Sequence, residues 1–106
     1  MLKFIVVLSR RPDFNVDEFR DYFRRVHGPL AEKLPGLRRY IRNYPAADAT
    51  RKPPGWDCIV ELYFDTWQAM EASWASPEGH RATEDLQEFA DLERSTWSVV
   101  DEELVL

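Results

Sequence analysis

The chain predicts an α+β fold, a four-stranded antiparallel sheet in the order β-α-β-β-α-β with its helices on one face. Three observations carry this. Leu2 to Ser9 (LKFIVVLS) and Trp56 to Phe64 (WDCIVELYF) are short apolar runs rich in β-branched residues, as strands covered on both faces must be. Asp17 to Leu37 (DEFRDYFRRVHGPLAEKLPGL) repeats its apolar residues at helical spacing instead. Right-handed crossovers then put the first and third strands at the centre of the sheet, in agreement with their being the most apolar.

In order along the chain, Arg10, Arg11, Pro12 and Asp13 end the first strand. Asn15 has the features of a helix N-cap, Glu18 can reach back to its backbone N–H, and Phe14 with Phe19 form a hydrophobic staple. Phe19, Phe23, Val26 and Leu30 are expected to face the sheet, while Arg20, Asp21, Arg24 and Arg25 take the solvent side. His27 lies within the apolar stripe. Gly28-Pro29 follows at once, and proline has no N–H and crowds the preceding turn. A kink or restart is therefore expected just past His27, leaving carbonyls between Phe23 and Arg25 without their usual donors.

Leu34-Pro35-Gly36 closes the helix and leads into Leu37 to Tyr44 (LRRYIRNY). Leu37, Arg39, Ile41 and Asn43 alternate with Arg38, Tyr40, Arg42 and Tyr44, a strand polar enough for a sheet edge or a wet cavity. Its arginines either guard that edge or bind an anionic substrate bidentately. Pro45 to Gly55 (PAADATRKPPG) is a long irregular loop, expected to lid a pocket or reach toward a partner.

In the third strand Cys58, Val60, Leu62 and Phe64 make one face and Ile59, Glu61 and Tyr63 the other. A carboxylate in mid-strand must find a partner or stay protonated, and an arginine of the second strand is one candidate partner for Glu61. Cys58 reads as a small buried hydrophobe. Asp65 with Gln68 is expected to start a helix whose stripe is Trp67, Met70 and Trp74. Ser76-Pro77-Glu78 restarts it, Leu86 and Phe89 continue its buried side, and His80 is expected to face solvent. Trp97, Val99 and Val100 form the last strand before the tail DEELVL.

Composition narrows the function. The 106 residues make one domain, residues 1–106, and the net charge of −5 argues against a nucleic-acid partner, which needs a basic face. The lone Cys58 leaves no disulfide within the chain, and no apolar run is long enough to cross a bilayer or resembles a leader, so a soluble cytoplasmic protein without membrane contact is expected. Two histidines far apart and one cysteine give no metal-ligand spacing. Helices can cover only one sheet face, so the apolar residues on the other predict a homodimer that packs sheet on sheet.

The element order, the segment Phe19 to Tyr40 (FRDYFRRVHGPLAEKLPGLRRY), the strand end Val60 to Asp65 (VELYFD), the turn Ser76 to Gly79 (SPEG) and the tail Val99 to Glu103 (VVDEE) resemble the EthD family. These are ferredoxin-like, dimeric α+β-barrel proteins related to tetracenomycin F2 cyclase and methylmuconolactone methylisomerase. The resemblance spans nearly the whole chain. It implies that His27 faces a cleft between helices and sheet, and that no cofactor, whether metal, flavin or haem, takes part. Many relatives carry a histidine near the end of the last strand, where this chain has Glu103.

Three roles for His27 follow. In the first, the protein is a cofactor-independent enzyme of isomerase, cyclase or oxygenase type acting on a cyclic or aromatic carbonyl or lactone. His27 is then the catalytic base, with Phe23, Tyr40, Arg42, Glu61 and Tyr63 as substrate-binding residues. In the second, the protein binds a hydrophobic degradation intermediate without turning it over, and His27 donates one hydrogen bond. In the third, His27 is a core histidine satisfied by a carbonyl that Pro29 frees.

Overall fold

Alternation along four strands sets the architecture. In the computed structural model, which describes residues 1–106, β1 (Leu2–Leu8) pairs antiparallel with β3 (Cys58–Phe64) in the register Val6 to Val60. The strand β2 (Arg39–Asn43) lies outside β3 and β4 (Thr96–Val100) outside β1, giving the order β2-β3-β1-β4. Because successive side chains point to opposite faces, this register aligns Phe4, Val6, Tyr40, Arg42, Val60, Leu62, Trp97 and Val99 on the helix side. Lys3, Ile5, Val7, Arg39, Ile41, Glu61 and Tyr63 share the other face.

The first helix, α1 (Val16–Tyr22), begins at Asn15, whose side chain accepts from the Glu18 N–H at 2.8 Å while Glu18 accepts from the Asn15 N–H at 3.0 Å. Both halves of the capping box are made. The ring of Phe14 meets Tyr22 edge-on at 6.1 Å. The helix resumes just past His27, as expected, but without a gap in its path. It widens one turn earlier, into a π turn over Phe23–His27, and continues as α2 (Gly28–Ala31). A wider turn gives the Pro29 ring room beside the carbonyl four residues back, and the Gly28 N–H donates to Phe23 O, five residues back.

This turn also corrects the apolar stripe. Four residues overshoot a regular helical turn by about 40°, and the extra slack of a π turn offsets part of that drift. Phe19, Phe23, His27 and Ala31 are therefore all buried at steps of four, whereas Val26 is 41% exposed. His27 takes the inward place that a regular helix would share with Val26.

The helix α3 (Trp67–Ala75) starts one residue later than expected, with Thr66 accepting from the Ala69 N–H. Asp65 instead accepts from Arg38 at 2.8 and 3.0 Å. In its stripe only Met70 is buried; Trp67 is 52% exposed. Ser76 caps α4 (Pro77–Asp85) with Pro77 in the first position. Gly79 lies so close to the Ser73 and Trp74 backbone that a Cβ would not fit. Short 3₁₀ turns at Leu86–Glu88 and Leu92–Arg94 then bring Phe89 into the core, where it is fully buried with Phe19, Phe23, Phe64, Leu8 and Cys58. Burial pushes the Cys58 thiol up to about 12, as suits a core residue and not a nucleophile.

On the open face Glu61 finds Lys3, at 2.7 Å, and accepts from Asn43 at 2.9 Å. Its partner is thus a lysine of β1 and not an arginine of β2, because Lys3 is its diagonal neighbour across the central pair. Arg39 lies over the Tyr63 ring at 5.4 Å instead. The hydrogen bond from Lys3 holds the Glu61 carboxyl below its ordinary range.

Candidate functional site

Between the sheet and its helices lies a cavity of about 710 Å³, and 17 of its 22 lining residues are hydrophobic. That size and lining suit a small apolar molecule. Phe4, Val6, Leu62 and Val99 form its sheet wall, Tyr40 contributes from β2, and Trp67, Met70 and Trp74 from α3. His27 is part of the wall, only 6% exposed.

The imidazole is held on several sides. Its Nδ1 is 3.0 Å from Asp85 Oδ2 at the end of α4, and the Tyr22 hydroxyl donates to Asp85 Oδ1 at 2.8 Å. The ring packs between Phe23, edge-on at 5.3 Å, and Phe89 at 5.0 Å. A carboxylate can only accept, so Nδ1 carries the proton and Nε2 is left with its lone pair and no protein partner. Burial lowers the His27 pKa; the hydrogen bond to Asp85 works against this, and the nearby Arg42 charge adds to the lowering. The histidine is therefore neutral at pH 7, in its basic form. Burial and the bond to Asp85 push the Tyr22 phenol up to about 12, so Tyr22 stays a donor. Burial likewise raises Tyr40, which lines the cavity with its hydroxyl protonated.

Arg42 stands behind the wall. It donates to Phe23 O at 3.3 Å, and its guanidinium lies 5.2 Å from the Phe23 ring centroid and 5.4 Å from that of Tyr40. A Cβ on Gly28 would overlap with the Phe23 backbone carbonyl as well as with the end of the Arg42 side chain, so a residue without a side chain is favoured there. Arg42 and the Gly28 N–H thus share the Phe23 carbonyl that the π turn exposes. With that carbonyl already satisfied, His27 bonds to a carboxylate and not to the carbonyl that Pro29 was expected to free.

Of the residues expected at the site, the structure brings Phe23, His27 and Tyr40 to the cavity and Arg42 just behind it. It does not bring Glu61 or Tyr63 there. Both occupy positions of β3 that alternate with Val60 and Leu62, and both face the opposite side of the sheet, where the Tyr63 hydroxyl meets Glu61 and Glu102. Residues 45–55 contribute nothing to the wall of this cavity. Asp85 and Tyr22 are the partners that sequence reasoning missed. Asp85 lies 58 residues from His27 in an acidic stretch that reads as a solvated helix end. No three histidine, cysteine, aspartate or glutamate side chains converge as metal ligands, and no helix is long and apolar enough to cross a membrane.

Known proteins resemble this chain to different degrees. An uncharacterized 11.0 kDa protein of Rhodococcus erythropolis, from the thcB-thcC intergenic region, is 30% identical over 88 residues, covering 83% of this chain and 84% of its own. The crystal structure of an ethyl tert-butyl ether D (EthD) family protein from Bacillus halodurans superposes with a TM-score of 0.81 at 21% identity, covering 97% of this chain and all of that one. SnoaB, a cofactor-independent oxygenase from Streptomyces nogalater, superposes with a TM-score of 0.67 at 13% identity over 99% of this chain and 95% of its own. Residues 11–93, the span that carries Tyr22, His27 and Asp85, match the EthD domain, and the chain belongs to the EthD family.

Proposed function

We propose that the protein is a cofactor-independent enzyme of isomerase, cyclase or oxygenase type that acts on a cyclic or aromatic carbonyl or lactone, with His27 as general base. One observation carries this reading: a buried imidazole whose Nδ1 is tied to Asp85 and whose Nε2 is unpartnered in the wall of an apolar cavity. Nε2 takes a proton from the carbon beside the substrate carbonyl. The resulting imidazolium is stabilised by Asp85, and the enolate oxygen accepts from the Tyr40 hydroxyl. Return of the proton at another carbon completes an isomerisation; in a cyclisation the enolate carbon instead bonds to a second carbonyl carbon of the substrate, and the alkoxide left there takes the proton back from His27. The ring of Phe23 packs against the substrate, and Arg42 adds positive potential from behind. The fold shared with a cofactor-independent oxygenase is compatible with such chemistry.

In D2O near neutrality, 2-tetralone bound in the cavity should exchange the hydrogens beside its carbonyl for deuterium faster with the protein than in buffer, as read by proton NMR. Saturable binding with exchange at the buffer rate would favour the binding-protein role instead.

A homodimer through the open sheet face accompanies this reading. Ile5, Val7, Ile41 and Ile59 remain only partly covered there, while the charge of Lys3 is already matched by Glu61 and Glu102 at 2.7 Å each. A largely neutral, apolar face of this kind fits a second copy of itself. Light scattering at micromolar concentration should give twice the chain mass; a stable folded monomer would rule the dimer out.

A further inference from the structure

We infer that the cavity selects ligands without negative charge, and that Glu71 on α3 and Glu84 on α4 impose this choice at its mouth. The inference rests on the cavity being a ligand site and adds the chemical class that it admits.

Glu71, His80 and Glu84 line the cavity and are solvent-exposed, so they mark where it opens. Trp67 and Trp97, 52% and 57% exposed, stand at the same opening and offer flat apolar surfaces. No lysine or arginine is part of the wall. Arg42 lies behind Phe23 and is engaged with its carbonyl.

An aryl carboxylate, a phosphate ester or an acyl thioester of a phosphorylated carrier therefore has two placements, and both are unfavourable. With its charge inward, the ligand loses its hydration among Phe4, Val6, Leu62 and Met70 with no cation to replace it. With its charge outward, it meets two solvent-exposed carboxylates at the mouth, whose repulsion is felt most at low salt. A neutral ketone, lactone, phenol or quinone meets neither penalty. It can place its oxygen near His27 and Tyr40 and its rings against the tryptophans. Negative charge then arises inside the cavity only when His27 removes a proton, where Tyr40 can receive it.

The probe pair is 2-naphthamide and 2-naphthoate, nearly identical in shape and different in charge, titrated into the wild-type protein at pH 7.5 and low salt by calorimetry. Naphthamide should bind about ten-fold tighter or better, and the double variant E71Q/E84Q should improve naphthoate binding about three-fold or more while leaving naphthamide within about two-fold. Unchanged naphthamide affinity also certifies that the variant is folded. Naphthoate binding as tightly as naphthamide, or a ratio untouched by the double variant, overturns the inference and leaves the ligand site standing. Failure of both probes to bind overturns the ligand site itself.

Discussion

His27→Gln should lower turnover, or the deuterium exchange that stands in for it, by about 100-fold or more while the protein still folds and binds. Glutamine has a similar volume and an amide that can still donate to Asp85, but it has no base that titrates. A binding protein would keep its affinity within a few-fold. A purely structural histidine would show itself as lost melting temperature with turnover kept, because the glutamine amide does not refill the ring's seat between Phe23 and Phe89. Acidification separates the cases further. The folded pKa of His27 is lowered by burial, so the folded protein binds fewer protons than the unfolded chain below about pH 6.5. The stability tied to the neutral ring is fully present above that value and is lost as pH falls through the folded pKa. Activity should fall over the same acid window, since only the neutral ring is a base. The variant should lack this part of the pH dependence in unfolding experiments. Turnover that survives the substitution and stays flat with pH sinks the catalytic reading.

What the sequence revealed and what it concealed divide along physical lines. Period-two alternation is local, so β1 and β3 could be read from LKFIVVLS and WDCIVELYF, and their central pairing followed from topology. The Asn15 cap was legible because its partner is three residues away. The π turn was not. Gly28-Pro29 announces trouble in the helix but not whether it kinks, breaks or widens, and the second donor to the exposed Phe23 carbonyl, Arg42, lies 19 residues away. Val26 was misplaced for the same reason. Asp65 and Thr66 are both good caps, and the ion pair with Arg38 draws Asp65 away. Asp85 lay beyond sequence reasoning because its role depends on two helices meeting, and nothing in TEDLQE distinguishes a carboxylate that faces inward from its exposed neighbours. Glu61 attracted notice as an oddity in an apolar strand, yet its face of the sheet was readable from alternation, and that face points away from His27.

Phe89→Ala should be among the costliest single substitutions, at about 3 to 5 kcal/mol. The residue is fully buried, and its ring centroid lies 5.2 Å from Phe19, 5.0 Å from Tyr22, 5.1 Å from Phe23 and 5.0 Å from His27. It therefore forms both the centre of the aromatic cluster and one wall of the imidazole's seat. Its backbone is held separately, by the Arg11 N–H donating to its carbonyl at 2.9 Å, so the chain path should survive the loss of the ring. The emptied space borders His27, and any relaxation or entry of water there weakens the desolvation that lowers its pKa. The folded value should then move up toward that of an ordinary histidine, carrying the acid limb of activity with it. Phe64→Ala supplies the control. Phe64 is equally buried but its aromatic partner is Trp74, at 5.9 Å, so it should cost a similar stability without moving the His27 titration. Urea unfolding measures the first effect and the pH dependence of the His27 ring resonance the second, with Phe89→Leu as the milder variant where the alanine is too unstable to titrate. Equal shifts of His27 in both alanine variants, or a cost below about 1 kcal/mol for Phe89→Ala, would show that Phe89 does not build the histidine's environment.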